Sequence, residues 1–414
     1  MAPYDEKVKE QKVKNHMKEK IPALRKILFY LALSIEIALV IVDKSAIQNP
    51  YISYFFRFTF LITLVVVILS DYTRREWVVI FLACTLGMVS YRISGRNEIL
   101  RVVLFVAACK HMELRRMLQV TFLGTLSGCI AIVVLAVTGI LGEVSLTQDF
   151  GRSAGVITRY TFGFGHPNAL QCMFIMLLLL GMYFYDQKMK WYIYLILLCA
   201  NYGIYYLTDS RTGFLVAAAA ILFALLMHET RLGSQIWSYI CGMFVLAGCI
   251  SFSIWSAAVS KYTWCDWTMA QKISGMLNGR IKELYWGTST HEGAIESWKL
   301  FSSRTSQTFF DMGWVRLFYW YGWIPASLGI LCLILLLAEC ARRRDGAALV
   351  MIVSMSVYTV LEAHLVSEYI GRNYILILFG AYGFSMLRAD CGPEYGLVRF
   401  MMKWGRGEQH ESEK

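Results

Sequence analysis

Apolar residues along this chain gather into twelve long runs separated by short polar stretches. The runs fall near residues 25–42, 52–70, 76–92, 97–110, 117–142, 168–185, 190–208, 212–228, 236–256, 314–340, 346–362 and 373–388. A run of roughly 20 apolar residues is long enough, as a helix, to cross about 30 Å of hydrocarbon. The fourth run is short, because Arg101 interrupts it. The pattern predicts an all-α, polytopic membrane protein of about 12 transmembrane helices.

Two polar segments break the rhythm, 143–167 and 257–311. The second lies between the ninth and tenth runs and is long enough to fold over a membrane surface. Its Trp264, Trp267, Trp286, Trp298, Tyr262 and Tyr285 argue against disorder. Within it, Met269, Ile273, Met276, Leu277, Ile281 and Leu284 recur at three- and four-residue steps, which predicts a helix over 268–285. Arg280 falls inside that apolar arc, whereas Lys272 and Lys282 fall outside it. A guanidinium on a buried face needs a partner. It either snorkels into the lipid interface or points into a cavity beneath the loop.

Composition agrees with this class: 57% of the 414 residues are hydrophobic and the mean hydropathy is +0.50. The chain then divides into a basic arm (1–24), nine helices (25–256), the large loop (257–311), three helices (312–388) and a polar tail (389–414). No small-residue cleavage site follows the first run, so it reads as a retained anchor rather than a cleaved signal peptide. With the arm in the cytoplasm, the inner loops and tail carry 24 Lys or Arg and the short outer loops seven. That asymmetry predicts both termini inside. The net charge of +11 is thus mainly a topology signal, and its scatter over short loops argues against nucleic-acid binding. Of eleven cysteines only Cys265 lies in the large outer loop, so no disulfide scaffold is implied. The chain has no C-x-x-C, H-x-x-x-H or D-x-D spacing, and no metal site is expected.

Arginines on the outer side are the unusual feature, since cations are normally depleted there. Arg152, Arg159, Arg211, Arg280 and Arg372 all fall on it. In Arg159–Asn168 (RYTFGFGHPN), Gly163 and Gly165 let the backbone bend, and Pro167 suits the first turn of the next helix. His166 and Asn168 then sit at a helix mouth, which with Arg159 favours an anion or simply forms a polar re-entry turn. In Asp209–Gly213 (DSRTG), Asp209 or Ser210 can cap the eighth helix, and Arg211 can pair with Asp209 or reach into a cavity. Asp311 precedes the tenth run, where it can orient or deprotonate a hydroxyl, cap the helix, or pair with Arg316. Glu362, His364, Glu368, Arg372 and Asn373 form a polar hairpin, as His291, Glu292 and Glu296 do on the large loop; a solvated face is the expectation for both. Glu36 and Arg57 lie at matching depths in the first two helices and are expected to form a structural ion pair.

These motifs, R-Y-T-F-G-F-G-H-P-N at 159–168, D-S-R-T-G at 209–213, N-G-R at 278–280 and D-M-G-W at 311–314, together with the long outer loop, resemble the bacterial O-antigen polymerase and ligase superfamily. The likeness spans roughly residues 25–388 and is greatest to the Wzy-type polysaccharide polymerases. It implies an enzyme at the outer face of the bacterial cytoplasmic membrane, needing no cofactor. Such an enzyme transfers a growing glycan from undecaprenyl diphosphate to a hydroxyl of the next lipid-linked repeat, building capsule, exopolysaccharide or O-antigen. The resemblance further implies diphosphate binding by Arg159, Arg211 and Arg280, with a flippase and a chain-length regulator as further partners. Ligases carry a histidine near the end of the large loop, where this chain has Asp311, which favours polymerase over ligase. Binding of the diphosphate or glycan by His166, Asn168 and Arg152 as well, and catalysis by Asp311 and Arg280, complete the expectation. A flippase or transporter is the rival reading, and would show paired broken helices near mid-membrane.

Overall fold

The computed structural model describes residues 2–149, 155–263 and 268–387. Arg152, Trp264, Cys265, Trp267 and the tail at 389–414 lie outside the described residues. The described chain is mainly helical. In order come α1 (Ala2–Lys44), α2 (Ile52–Ile68), α3 (Arg74–Ser94), α4 (Glu98–Ala108) and α5 (Leu114–Val137). A hairpin of β1 (Ser145–Asp149) and β2 (Val156–Tyr160) follows, antiparallel with Leu146 opposite Arg159. Next are α6 (Pro167–Tyr185), α7 (Trp191–Thr208), α8 (Arg211–Glu229) and α9 (Ile236–Val259). The large loop contributes α10 (Thr268–Met276) and α11 (Arg280–Trp286). The chain closes with α12 (Gly313–Tyr321), α13 (Trp323–Arg343), α14 (Gly346–Leu361) and α15 (Ile375–Leu387).

Six of these helices are long and apolar enough to cross a membrane: α3, α5, α6, α8, α9 and α13. The helix α2 shows why the molecule is membrane-embedded. Its inward face carries Phe56, Thr59, Ile62, Thr63 and Val66, at helical spacing. Its outward face carries Phe55, Phe58, Leu61, Val65 and Ile68, all exposed. Beyond Arg57, a helix with Thr59 and Thr63 turned inside and bulky hydrocarbon outside suits lipid rather than water.

Local chemistry fixes the ends. Thr73 and Glu76 form a reciprocal capping box at the start of α3, and Gly95 ends that helix at φ +76°. Asp345 caps α14 through the Ala348 amide at 2.9 Å. The tenth apolar run, 314–340, is two helices rather than one. Gly322 between them has φ +89°, and a side chain there would meet the Leu300 carbonyl oxygen at 2.6 Å. The end of the large loop crosses at this point, where Trp323 and Ile324 donate amides to the Lys299 and Leu300 carbonyls. The helix expected over 268–285 is likewise divided, by Asn278 and Gly279 at φ +54° and +80°.

Glu36 does not pair with Arg57. Its carboxylate accepts from Arg101 Nη2 at 3.0 Å and from the Thr59 hydroxyl at 2.6 Å. Arg57 is exposed, 5.8 Å from the Tyr54 ring. Depth along α2 suits Arg57, but azimuth turns it away from Glu36. Phe56 and Thr59 face inward, and Arg57 follows Phe56 by about 100° of rotation. Arg101, which shortened the fourth apolar run, is the partner.

Candidate functional site

Helix ends from distant parts of the sequence meet around one cavity of about 930 Å³. Its walls come from the last residue of α1, from β2, from the start of α6, from the α7–α8 turn, from α11, from the irregular segment before α12, and from the end of α14.

The glycine-rich turn brings the first residues in. Phe162 and Gly163 take φ +47° and +84°, which turns the chain back from β2. Gly165 donates its amide to the Lys44 carbonyl, and Ala46 donates to the Gly163 carbonyl, so the turn is tied to the end of α1. His166 then caps α6, its Nδ1 accepting the Asn168 amide at 3.1 Å, with Pro167 in the first turn. Arg159 is buried, and donates from Nε to the Thr208 carbonyl at 2.5 Å and from Nη2 to Asn168 Oδ1 at 3.1 Å. Thr208 is in turn held by a buried amide chain. Its hydroxyl reaches Gln171 Oε1 at 3.4 Å, and Gln171 Nε2 donates to Asn201 Oδ1 at 3.0 Å.

Asp209 adopts the left-handed conformation that ends α7, at φ +46°. Ser210 stands at the N-cap of α8 without a side-chain capping bond. Arg211 projects from the first turn, 68% exposed, with Asp209 Oδ1 at 3.8 Å. Across the cavity Arg280 opens α11 immediately after the Asn278–Gly279 turn and is buried. It is clamped by two carboxylates, Glu362 Oε1 at 2.6 Å from Nη2 and Asp311 Oδ2 at 3.3 Å from Nε. Asp311 thus pairs with Arg280 and not with Arg316. Arg316 is buried between the Phe309 and Trp320 rings, at 3.8 and 3.7 Å.

Of the residues singled out from sequence, Arg159, His166, Asn168, Arg211, Arg280 and Asp311 all line this cavity. Lys44, Cys172, Asp209, Glu283, Glu362 and Arg372 join them, with His364 beside Cys172. The hairpin 362–373 is therefore not a solvated face. His364 and Arg372 are buried, and Arg372 bonds Asp43 on α1. Hydrophobic periodicity carries no sign of this, because the segment packs as an irregular insert rather than a helix face. Lys44 and Cys172 sit at helix positions indistinguishable from ordinary ends and walls.

The wall carries five cations and four carboxylates, Asp209, Glu283, Asp311 and Glu362. Three of those carboxylates stand against arginines. Burial pulls the Arg280 guanidinium down, but Glu362 and Asp311 outweigh it and leave it above its ordinary value. Burial pushes Glu362 above the usual carboxylate range, against the pull of Arg280. His166 is depressed by burial and by the neighbouring Arg159. His364 is held well below 6.5 by burial, reinforced by Arg372 and Lys44. Among the described residues no three His, Cys, Asp or Glu side chains converge to hold a metal ion.

The arrangement can hold an anion with several guanidiniums while presenting a carboxylate beside it. Arginine stays charged and offers parallel donors to phosphate oxygens. No family model, curated protein or solved structure matches the chain.

Proposed function

We propose that this chain is a membrane-integral glycosyltransferase that polymerises lipid-diphosphate-linked oligosaccharide repeats into surface polysaccharide. Twelve crossings with both termini in the cytoplasm would set the cavity at the outer face of a bacterial cytoplasmic membrane. The observation that carries the reading is the meeting of Arg159, Arg211 and Arg280 around one cavity that Asp311 also lines. These residues come from three separate motifs, so their convergence is a property of the fold and not of local sequence.

The chemistry follows from the groups. The donor glycan is attached to a polyprenyl diphosphate, whose departure from the anomeric carbon concentrates negative charge on phosphate oxygens. Guanidiniums already aimed at those oxygens favour the departing state over the bound glycoside. The acceptor hydroxyl oxygen bonds the anomeric carbon as the carbon–oxygen bond to the diphosphate breaks. The electron pair leaves with the diphosphate, and the hydroxyl proton passes to Asp311. His166 and Asn168 at the mouth of α6 are suited to sugar hydroxyls, since both carry polar atoms at the cavity wall.

Single Arg159→Ala, Arg211→Ala and Arg280→Ala variants test the reading in cells, after membrane insertion is checked. Long polymer is expected to disappear while single lipid-linked repeats collect on the outer leaflet. Repeats trapped on the inner leaflet would instead identify a flippase, and intact polymer with an unmodified second acceptor would identify a ligase. Either result overturns the proposal.

A further inference from the structure

Arg280 is held by two carboxylates of unequal standing. Glu362 bonds Nη2 at 2.6 Å, and its backbone is fixed at the end of α14 by an amide bond to the Tyr358 carbonyl at 2.8 Å. Asp311 stands farther off, at 3.3 Å from Nε, in the irregular segment before α12. The Asp311 side chain is 42% exposed and that of Glu362 26%, whereas Arg280 is 8% exposed. The third guanidinium nitrogen, Nη1, is buried and has no hydrogen-bond partner among the described residues. A second, smaller cavity of about 330 Å³ adjoins the first, and Arg280, Glu283 and Asp311 line both.

We infer that Asp311 is a displaceable occupant of the Arg280 anion site, so that phosphate binding uncovers the carboxylate while Glu362 keeps the guanidinium in place. This rests on the reading of the cavity as a diphosphate site. A guanidinium offers five donors in one plane, and here one of its nitrogens is unsatisfied. Phosphate oxygens carry more charge than a single carboxylate and can take the Nε–H that Asp311 now faces, on the edge whose other nitrogen, Nη2, Glu362 holds. The longer and more exposed contact yields first, because solvent screens it and already competes for its oxygens.

The consequence is an order of events. Before the donor arrives, Asp311 Oδ2 faces Arg280 Nε at 3.3 Å. Once a diphosphate holds Arg280, the carboxylate is freed at the boundary between the two cavities. An acceptor hydroxyl entering the smaller cavity then meets a free base beside a charged leaving group. Glu362 acts as a positioning residue, since it touches the guanidinium and not the reacting atoms.

Inorganic diphosphate is the probe, titrated calorimetrically into the purified full chain in lipid nanodiscs. Removing the competing charge in Asp311→Asn should tighten binding about three- to fivefold, the worth of a half-exposed ion pair. Removing the anchor in Glu362→Gln should weaken it, and Arg280→Ala should abolish it. Asp311→Ala repeats the first measurement without an amide, in case the asparagine variant does not fold. Diphosphate that binds in an Arg280-dependent way but no tighter to either Asp311 variant overturns the displacement inference alone. Failure of the parent to bind diphosphate at all overturns the underlying site reading as well.

Discussion

Replacing Arg101 with leucine should destabilise the fold far more than any other single loss of positive charge in the first four helices. Both partners of the Glu36–Arg101 pair are buried, with side chains 2% exposed. Arg101 also donates from Nη1 to the Glu368 carbonyl at 2.8 Å and lies 3.7 Å from the Phe56 ring centroid. The pair thus joins α1, α2 and α4 to the segment that carries Glu362 and Arg372 into the cavity wall. Removing the cation leaves a buried carboxylate with the Thr59 hydroxyl as its remaining hydrogen-bond donor. Breaking a buried pair on one side costs about 3–5 kcal/mol, or roughly two to three and a half decades in the unfolding equilibrium. The paired change Glu36→Leu with Arg101→Leu should recover most of that loss, because no charge is then stranded. Thr59 keeps its own bond to the Phe56 carbonyl at 3.2 Å in that variant. Arg57→Ala, at an exposed position, should stay within about 0.5 kcal/mol of the parent. Denaturant unfolding from bicelles, followed by tryptophan fluorescence, measures the parent, these three variants and the Glu36→Leu single. The reasoning fails if Arg101→Leu unfolds like the parent, or if the double variant loses the sum of its two singles.

Acid should weaken the fold through His364. Its folded pKa lies well below the ordinary 6.5, so the unfolded chain binds the extra proton first. Stability from this group is therefore complete above about pH 6.5 and lost as pH falls below it. Melting temperatures at pH 5.5 and 7.5 should differ less in His364→Asn than in the parent. Gln171→Leu removes the bonds to Asn201 and Thr208 that support the carbonyl under Arg159. A loss of about 1–3 kcal/mol is expected, together with weaker diphosphate binding; unchanged binding would show that Arg159 is placed by other means. Gly322→Val forces a side chain to within contact of the Leu300 carbonyl at a positive φ, and should detach the loop end from α13. Trypsin cleavage after Lys299 should then become faster, and an unchanged digestion rate would contradict that role for Gly322.

Much of the architecture is legible because lipid imposes a one-dimensional rule. Apolar run length reports helices directly, and α5, α6, α8 and α9 begin or end within a few residues of the expected positions. Turns legible from chemistry include the Gly163–Pro167 re-entry, since a positive φ and a first-turn proline have few other uses. The breaks at Gly322 and at Asn278–Gly279 were less visible. A single glycine inside an apolar or amphipathic run does not announce which distant backbone will cross it.

The sequence by itself determined where helices run and which residue types carry charge at their ends, because hydrophobic periodicity is a local property of neighbouring side chains. Only the tertiary structure decided who faces whom. Arg101 rather than Arg57 meets Glu36, Asp311 turns to Arg280 rather than Arg316, and Glu362, His364 and Arg372 close a wall instead of meeting solvent. Each of these choices depends on helix rotation and on contacts between segments tens to hundreds of residues apart. Depth along a helix follows from counting residues, but azimuth follows only from packing.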